Sequence, residues 1–551
     1  MRKKLYVFFV LTVLWLFTGM FSAAAQGEYL YYVPHVVSYP EFYPANHAYT
    51  CLYLTVTRDD TNYDLDLDGD GVYENTYSGL AAGTYEAFYR TNWPSPNGTL
   101  ATGASIRSDH PLHVLLWFGE NDFGTYDSGF LKTSLLPVHQ WGEEFVVAAN
   151  SNYLYIFAAS SATAVVTPPG QASVNYVISP RTNVKLSGIT AGTTVTADSP
   201  VYVLAVNCGT DQNFPWMYNV LPLSMIGNEY FHDSTYGEVD LSWTWPTDPK
   251  LWITSVANGT DVYIDEDNDD VPDFTYYLDA GESFTFPNPV QGTHILSNRD
   301  IYVVNVENWA AAFRGHYGGA ATEYLPVSLY GTEYGLYRST HGANLPDTDP
   351  HIFIVASNND TSVEIDFGWD GIDLSNTLDR GGVWTVNWPV DLPYTAHIQS
   401  TKGIQVIFRT DFAHHDHPGV NCAYAVYSLS VPRPVQAVID IHPNTLNRKS
   451  QGKWVTAYIE LPEGYNVEDI VVDTVAVTGM DGVPVDPPLS AQSSPSCIGD
   501  YDSDGVPDLM VKFSRNDLIE LLTPGDRVVT VSGSLNDETA LEGNDTLTVI
   551  H

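Results

Sequence analysis

The sequence predicts an all-β protein. It consists of four repeated antiparallel β units, in a propeller-like ring or as tandem sandwiches, followed by a C-terminal β-sandwich. Three observations support this. Short runs alternate apolar and polar side chains, the same landmarks recur about every hundred residues, and no amphipathic helix of three turns stands out before residues 516–522. Period-two alternation is typical of half-buried strands, and a fixed repeat is typical of rings and tandem arrays.

The strand-forming runs are short and lie between turn residues. Residues 261–265 read Asp-Val-Tyr-Ile-Asp, and residues 274–278 read Phe-Thr-Tyr-Tyr-Leu. β-Branched and aromatic residues fill such runs, whereas Gly, Pro, Asn and Asp separate them. This chemistry favours antiparallel strands joined by tight turns, and ordinary strand lengths allow about six strands in each unit.

Four segments carry the same landmarks in the same order. One strand is predicted to start at a threonine, which recurs as Thr61, Thr163, Thr260 and Thr361. Between units, a Leu-Pro pair precedes a Gly-x-Glu-aromatic motif at residues 142–145, 227–230 and 331–334. Because so many landmarks keep one order, the repeats are predicted to share one fold.

A proline-rich stretch, Val431-Pro-Arg-Pro-Val435, ends the repeated region. Such a stretch is stiff and is typical of a link between domains. The residues that follow alternate with a different pattern over about the length of an immunoglobulin-like unit. The sequence therefore predicts a leader at residues 1–25, a four-repeat β domain at 26–435, and a separate β-sandwich at 436–551.

The first 25 residues have the features of a secretory signal peptide. Arg2, Lys3 and Lys4 precede an apolar run over residues 5–21, and three alanines at 23–25 offer a cleavage site before Gln26. We therefore expect a secreted protein, extracellular or at the cell surface, with no membrane insertion once the leader is removed. Its four cysteines permit two disulfides, with three possible pairings.

The composition excludes some classes of partner. The net charge is −43, and it becomes −46 when the three basic residues of the leader are removed. A surface this acidic repels nucleic-acid phosphates and anionic membranes, so neither is expected as a partner. Aromatic residues make up 13% of the chain, enough for a folded core. Excess carboxylate on a folded secreted protein favours solubility or the binding of divalent cations.

Three short segments place acidic residues at positions 1, 3, 5 and 9 of a loop. Alternate side chains of a tight loop can turn inward around a hard cation, and the carbonyl of position 7 adds a ligand. Magnesium needs fewer protein oxygens and stricter geometry, so the pattern favours Ca²⁺. The predicted ligands are Asp66, Asp68, Asp70, Val72 and Glu74; Asp265, Asp267, Asp269, Val271 and Asp273; and Asp500, Asp502, Asp504, Val506 and Asp508.

These loops lack the glutamate that closes a helix–loop–helix calcium site, since position 12 is Tyr77, Tyr276 or Val511. They resemble the calcium hairpin loops of integrin-type propeller repeats and thrombospondin type 3 repeats. The fourth repeat keeps only three acids and the second has Thr-Pro-Pro-Gly there, so both are expected to be degenerate or empty. We expect a structural ion with weak extracellular affinity, roughly 10⁻⁴–10⁻³ M or somewhat tighter, the alternative being an acidic turn without an ion.

Residues 30–430 resemble the N-terminal domain family of IgGFc-binding proteins. The resemblance rests on Leu136-Pro-Val with Trp141-Gly-Glu-Glu-Phe145, on the two later copies of this motif, and on the strand Ser199-Pro-Val-Tyr-Val-Leu. It implies extracellular binding, of immunoglobulin or mucin type in the animal members. The tail resembles a calcium-bearing β-sandwich module found at the end of many secreted prokaryotic proteins.

The sequence gives no sign of catalysis. It contains no Gly-x-Ser-x-Gly, His-Glu-x-x-His or phosphate-binding loop, and Glu144, Glu229 and Glu333 recur once per repeat, as structural residues do. We therefore expect a non-enzymatic binding or adhesion protein that recognises an extracellular protein or glycan. A polysaccharide-processing enzyme and a structural component of the matrix or envelope are the alternatives.

Aromatic residues after equivalent strands offer one ligand-binding surface, if they are exposed on a common face. Exposed rings of this kind stack on sugars or fill a protein pocket. The competing interpretation is packing between units, where the same rings would be buried. The candidates are Trp117, Phe118, Trp216, Tyr218, Trp309 and Phe313.

Overall fold

The computed structural model describes residues 29–36, 48–91, 100–120, 131–207, 216–233, 247–311, 316–338, 348–388, 392–414, 417–418, 422–429, 435–450, 452–461, 465–480, 483–499, 501, 506–535 and 540–550. The predicted leader lies outside these residues. Strands make up 63% of the structure, and one α-helix, α1 (Arg515–Leu521), accompanies them among the described residues, so the all-β class is confirmed. The chain divides into two compact units, residues 1–431 and 432–551.

The first repeat is a small sandwich of two four-stranded sheets. The sheet orders are β1-β6-β3-β4 and β5-β2-β7-β8. The strands are β1 (Tyr29–Tyr32), β2 (Ala48–Val56), β3 (Thr61–Asp66), β4 (Asn75–Leu80), β5 (Tyr85–Thr91), β6 (Ser105–Ser108), β7 (Leu112–Glu120) and β8 (Leu131–Ser134).

The other three repeats have the same architecture. The second contains β9 (Gly142–Val146), β10 (Ser151–Ala158), β11 (Ala162–Thr167), β12 (Val174–Ile178), β13 (Thr182–Ile189), β14 (Thr194–Asn207) and β15 (Trp216–Val220). The third contains β16 (Gly227–Phe231), β17 (Thr247–Ser255), β18 (Thr260–Asp265), β19 (Phe274–Leu278), β20 (Ser283–Pro287), β21 (His294–Ala311) and β22 (His316–Glu323). The fourth contains β23 (Gly331–Tyr337), β24 (Thr348–Ala356), β25 (Thr361–Phe367), β26 (Leu374–Leu378), β27 (Val383–Asn387), β28 (Thr395–His414), β29 (His417–Pro418) and β30 (Cys422–Val426).

One long strand serves both sheets in each of these later repeats. The first half of β14 pairs with β9 and β11, its second half pairs with β10 and β15, and the register with β9 shifts between the halves. In the first repeat, β6 and β7 take these two roles separately. The prediction of about six strands per unit was too low, because short strands at the unit boundaries and along the inner edge add to the count.

The four repeats form a closed ring. The last strand of each repeat (β8, β15, β22 and β30) contacts its counterparts in the neighbouring repeats, and β30 contacts β8. Strand β23 of the fourth repeat also contacts β2 and β7 of the first. The sequence left the choice between a ring and a string open, and the contacts between the fourth and first repeats decide for the ring.

The Gly-x-Glu-aromatic motif is explained by the packing between neighbouring repeats. The Tyr230 hydroxyl donates to the Ile301 carbonyl at 2.6 Å and accepts the Gly227 amide at 2.9 Å. Tyr334 accepts the Gly331 amide in the same way, at 3.0 Å. A Cβ atom on Gly227 would lie 2.7 Å from the Cβ of Pro326, so this motif and the next Leu-Pro pair require each other.

The threonine landmarks are strand caps in three of the four repeats. The hydroxyls of Thr61, Thr260 and Thr361 donate to the carbonyl three residues earlier, at 2.6–2.8 Å. In the second repeat the predicted landmark was wrong by one residue. Ala162 faces Ile178 there, as Thr61 faces Leu80, so Thr163 is one place further along the strand.

Residues 432–551 form two facing sheets around their own apolar core. The sheet orders are β31-β40-β39-β35-β36, with β33 also paired to β40, and β32-β34-β38-β37. The strands are β31 (Val435–Gln436), β32 (Val438–His442), β33 (Thr445–Asn447), β34 (Trp454–Glu460), β35 (Ala476–Met480), β36 (Val483–Ser490), β37 (Gln492–Gly499), β38 (Asp508–Ser514), β39 (Gly525–Ser534) and β40 (Ala540–Ile550). Within the described residues, no helix has the length and apolarity to span a membrane.

Gly227→Ala is predicted to destabilise the ring by about 1–3 kcal/mol, because the added methyl group overpacks the contact with Pro326. Urea unfolding followed by tryptophan fluorescence measures the change. Gly499→Ala is the matched control, since its Cβ would meet no atom within 4 Å. Equal stability of the Gly227→Ala variant and the wild type would contradict the packing account.

Candidate metal centres at the junctions between repeats

The acidic loop of the first repeat curls around one buried carboxylate. Asp66 ends β3 and is fully buried. Its Oδ1 accepts the Gly69 amide at 2.7 Å, and its Oδ2 accepts the Gly71 amide at 2.8 Å. Both glycines have positive φ, +78° and +97°, a conformation that strains most other residues. The glycines of this loop therefore allow the backbone to close around Asp66.

Four carboxylates meet in this loop. One ligand oxygen each of Asp66, Asp68, Asp70 and Glu74 lies within 4.8 Å of the others. The Val72 side chain is 62% exposed, as expected where only the backbone of position 7 would serve an ion. Clustered carboxylate oxygens are the donor set that Ca²⁺ prefers, and without a cation they repel one another. The donor set therefore fits a calcium ion.

The third repeat builds a similar loop. The two oxygens of the buried Asp265 accept the amides of Asp269 and Asp270, at 3.2 and 2.8 Å. One ligand oxygen each of Asp265, Asp267 and Asp269 lies within 4.8 Å of the others. Asp273 accepts the amide of Glu266, the second residue of the loop, at 2.9 Å and lies outside this cluster. The loop brings together three of the four predicted carboxylates, and Val271 is exposed as Val72 is.

Mutual repulsion is evident within the third loop. The negative charge of Asp269 raises the pKa of Asp267, and Asp273 and Asp265 add to this effect. A bound cation would reverse the effect, because it favours the charged form of every ligand.

Arginines from the following repeat reach both loops. Arg181 of the second repeat forms an ion pair with Asp66. Arg380 of the fourth repeat lies 3.3 Å from Asp270 and 2.7 Å from Glu229, and its carbonyl accepts the side chain of Asn268 at 2.9 Å. The two candidate centres thus lie at alternate junctions, between repeats 1 and 2 and between repeats 3 and 4.

The other two junctions close without a carboxylate cluster among their described residues. In the fourth repeat, Trp369 takes the turn position, stacks on His397 at 4.1 Å and lies against Gly83 of the first repeat. Between the second and third repeats, a Cβ on Gly192 would lie 1.9 Å from the Gly281 carbonyl. A tryptophan and a close backbone contact fill these junctions.

The C-terminal loop falls mostly outside the described residues, including Asp500, Asp502 and Asp504. Asp508 is described, and its Oδ2 accepts the Tyr501 amide at 2.7 Å. In the first loop, Glu74 accepts the amide of the equivalent residue, Leu67, at 3.1 Å. Val506 is exposed, like the other position-7 valines. The described part of this loop has the hydrogen bonding of the other two.

The recurring glutamates fasten junctions in two repeats. Glu333 accepts both guanidinium nitrogens of Arg58 from the first repeat, at 2.5 Å each, and His397 at 2.9 Å. Burial opposes its ionisation, but the hydrogen bonds and charge of His397 and Arg58 outweigh burial and lower the pKa of Glu333 to about 2. Glu229 is bound similarly by His294 and Arg380, whereas Glu144 is exposed.

The predicted aromatic surface is not formed by the rings that the structure describes. Trp117, Phe118, Trp216 and Tyr218 are all buried, because their strands lie inside the ring. The Tyr218 hydroxyl accepts the Ala149 amide at 3.1 Å. The Trp309 side chain and Phe313 lie outside the described residues. Packing between units therefore accounts for the four described rings.

Sequence reasoning missed the arginines at the junctions. Arg181 and Arg380 lie at adjacent positions of the turn after the same hairpin, in the second and fourth repeats, whereas the equivalent turns of the first and third repeats, residues 81–84 and 279–282, contain no arginine. That alternation mirrors the acidic loops, which occur in the first and third repeats. Pairing the two patterns across the junctions is the signal that could have identified these residues.

A sequence profile of the family described as IgGFc binding protein matches residues 31–241 and again residues 217–426. Two solved structures are distantly similar. One is a Ca²⁺-stabilized adhesin that helps an Antarctic bacterium bind ice, with 11% identity, 79% of this chain and 94% of that chain covered, and a TM-score of 0.14. The other is the N-terminal domain of the Streptococcus gordonii adhesin Sgo0707, with 10% identity, coverages of 79% and 100%, and a TM-score of 0.20. Likenesses this weak establish no ligand, and no curated protein sequence is similar to this chain.

Glu333→Gln is predicted to destabilise the ring by about 1–3 kcal/mol at pH 7, because it removes a charged partner of Arg58 and His397. The folded pKa of Glu333 is depressed from 4.5 to about 2. The contribution of the Glu333 carboxylate to the free energy of unfolding is therefore complete above pH 4.5 and is lost as the pH falls through about 2. Chemical denaturation of both proteins between pH 2 and 7 measures the difference. Glu144→Gln, at the exposed counterpart, is the control, and a constant difference across this range would contradict the assignment.

Proposed function

Because this chain belongs to the IgGFc-binding protein family, we propose that it is a secreted, calcium-stabilised binding or adhesion protein. It recognises an extracellular protein or glycan by binding, without catalysis. Family membership supports the binding role. The observation that carries the calcium role is the position of two carboxylate clusters at alternate junctions of the repeat ring.

Each calcium ion in this proposal stabilises the contact between two neighbouring repeats. Asp66, Asp68, Asp70 and Glu74, with the Val72 carbonyl, hold one ion. Asp265, Asp267, Asp269 and Asp273, with the Val271 carbonyl, hold a second. The ion offsets repulsion among the carboxylates and fixes each loop in the shape that receives an arginine of the next repeat.

A third ion is proposed for the C-terminal unit. Its ligands are Asp500, Asp502, Asp504 and Asp508, with the Val506 carbonyl. The hydrogen bond from Tyr501 to Asp508 supports this loop conformation, since the first loop has the equivalent bond. The ion would fasten the hairpin between β37 and β38.

The partner is proposed to bind at one end of the ring. The inner strand pairs β7–β8, β14–β15, β21–β22 and β28–β30 are equivalent in the four repeats, so the strand ends that are joined within each pair lie at the same end of the ring. Apart from β29, the segments that join these strand ends lie outside the described residues. The acidity of the chain disfavours polyanionic partners and leaves proteins and neutral glycans as candidates.

Calcium is predicted to raise the melting temperature of the protein. Each site contributes about 1.4–2.7 kcal/mol when the calcium concentration is 10 to 100 times Kd. The double variant Asp267→Asn and Asp269→Asn is predicted to lose part of the shift, and to melt no lower than wild type in chelator because it carries less repulsion. Differential scanning calorimetry with millimolar calcium or with chelator measures both effects.

The matched control for this test is Asp370→Asn with Asp373→Asn, which makes the same charge change in the degenerate fourth loop. It should keep the full calcium shift. If wild type shows no shift, or if the two double variants lose the shift equally, the third-repeat site is wrong.

Partner binding is predicted to depend on the connections at one end of the ring. Biolayer interferometry against immunoglobulin Fc and mucin, with a glycan array in calcium, identifies the partner. Replacement of residues 121–130 by a glycine–serine segment of equal length should abolish binding and leave the melting temperature unchanged. The same replacement at residues 536–539 is the control. Binding that survives the first replacement would place the surface elsewhere, and no binding by wild type would count against the binding role.

A further inference from the structure

Each repeat contributes one polar residue to a cluster at the ring axis. Ser134, Asn219 and Glu323 each lie three residues before the proline of a Leu-Pro pair, at the inner strand of repeats 1, 2 and 3. Tyr427 follows β30 in repeat 4. The inner strands contact one another around the axis, so these four residues meet there.

Hydrogen bonds join the four residues directly. The amide nitrogen of Asn219 lies 2.8 Å from the Ser134 carbonyl, 2.9 Å from Glu323 Oε1 and 2.8 Å from the Tyr427 hydroxyl. Tyr427 in turn donates to Glu323 Oε1 at 2.5 Å. All four repeats are therefore linked through one cluster of polar atoms.

A second layer of equivalent residues surrounds this cluster. The residues are His113, Tyr202, Tyr302 and Gln405, one from each repeat. His113 lies 3.2 Å from the Ser134 hydroxyl, and Tyr202 donates to the side chain of Asn219. Tyr302 donates to the Asn219 carbonyl at 2.5 Å, and Gln405 accepts the Leu325 amide at 3.0 Å. Tyr302 and Gln405 thus hold the inner strand of the preceding repeat, whereas His113 and Tyr202 bond the inner strand of their own repeat.

Glu323 is the one acid in these two layers. Its side chain is 1% exposed, and its Oε2 has no hydrogen-bond partner among the described residues. A buried carboxylate oxygen without a partner costs far more free energy when the group is charged than when it is neutral. Burial accordingly raises the pKa of Glu323 to about 7, although Tyr427 and Asn219 act in the opposite direction.

Among the described residues, no cationic group lowers the pKa of Glu323. The titratable groups that face it are Tyr202, Tyr218, Tyr302 and Tyr427, whose own ionisation it opposes. Behind Ser134, burial lowers the pKa of His113 to about 4, so that imidazole is neutral at physiological pH. The ammonium group of Lys132, on the same strand as Ser134, lies over the ring of Trp117 at 5.2 Å.

We propose that Glu323 is a proton-dependent latch at the ring axis, which holds the four repeats together as a neutral acid and loosens them when it ionises. Ionisation places an unpaired negative charge where all four inner strands meet, and it weakens the contacts that each strand makes with the others. The latch is independent of calcium, because none of its residues belongs to an acidic loop.

The pH window follows from the direction of the shift. The folded pKa lies above the unfolded value of 4.5, so the folded state binds the proton more tightly. The stability that the neutral acid contributes is complete below pH 4.5, falls as the pH rises towards 7, and is absent above that. The shift corresponds to a change of up to about 300-fold in the unfolding equilibrium.

The test compares wild type with Glu323→Gln, a neutral replacement of equal size, in urea unfolding at saturating calcium from pH 4.5 to 8.5. The two proteins should have similar midpoints near pH 4.5. The variant should become progressively more stable than wild type up to pH 7, with a constant difference beyond. Subtracting the curves removes the titration of the other carboxylates. Parallel curves would overturn the latch.

Two further measurements keep the proposal testable if Glu323→Gln does not fold. Tyr427→Phe removes a hydrogen bond that lowers the pKa of Glu323, so the loss of stability should move to higher pH. Amide hydrogen exchange of wild type should show faster exchange at Leu221 and Leu325, whose amides bond the second layer, as the pH rises from 5 to 8 beyond the intrinsic increase. The proposal would be overturned if Tyr427→Phe lost stability over the same pH range as wild type, or if these two amides showed no exchange beyond the intrinsic increase.

Discussion

The strands that surround the ring axis belong to four different repeats, and none of them can bury its inner side chains within its own repeat. They must pack against one another, so each sandwich depends on its neighbours and the ring must close. The landmarks of the sequence serve this packing. Gly227 leaves room for Pro326 of the following junction, and Tyr230 ties its motif to the long strand β21. The residues that define the repeated motif are thus the same residues that allow the ring to close.

The junctions solve the same problem with different chemistry. Two of them carry carboxylate clusters next to an arginine of the following repeat, and one is closed by Trp369 together with the Arg58–Glu333–His397 network. The side chains that bind each buried glutamate determine the direction of its pKa shift. Glu333 is bound by the Arg58 guanidinium and by His397 and has a depressed pKa, whereas the side-chain partners of Glu323 among the described residues are the uncharged Asn219 and Tyr427 and its pKa is raised. Two glutamates ten residues apart therefore respond oppositely to pH.

The sequence predicted the features that depend on local patterns. Alternation identified the strands, and the spacing of landmarks identified the repeats, because both arise from residues close together in the chain. Ring closure could not be predicted, since it depends on contacts such as Arg58 with Glu333, 275 residues apart. The aromatic candidates show the same limit. The position of Trp117 after an apolar run is compatible with a surface or a core, and only the facing strands bury it.

The acidic loops were predicted from spacing alone, but their place at the junctions follows only from the ring. The central claim is that calcium occupies these loops and fastens adjacent repeats. A crystal structure grown in calcium, with an anomalous difference map, tests it most directly. Anomalous peaks are expected among the carboxylates of Asp66, Asp68, Asp70 and Glu74, and among those of Asp265, Asp267 and Asp269. Calcium-soaked crystals with no anomalous peak at either loop would contradict it.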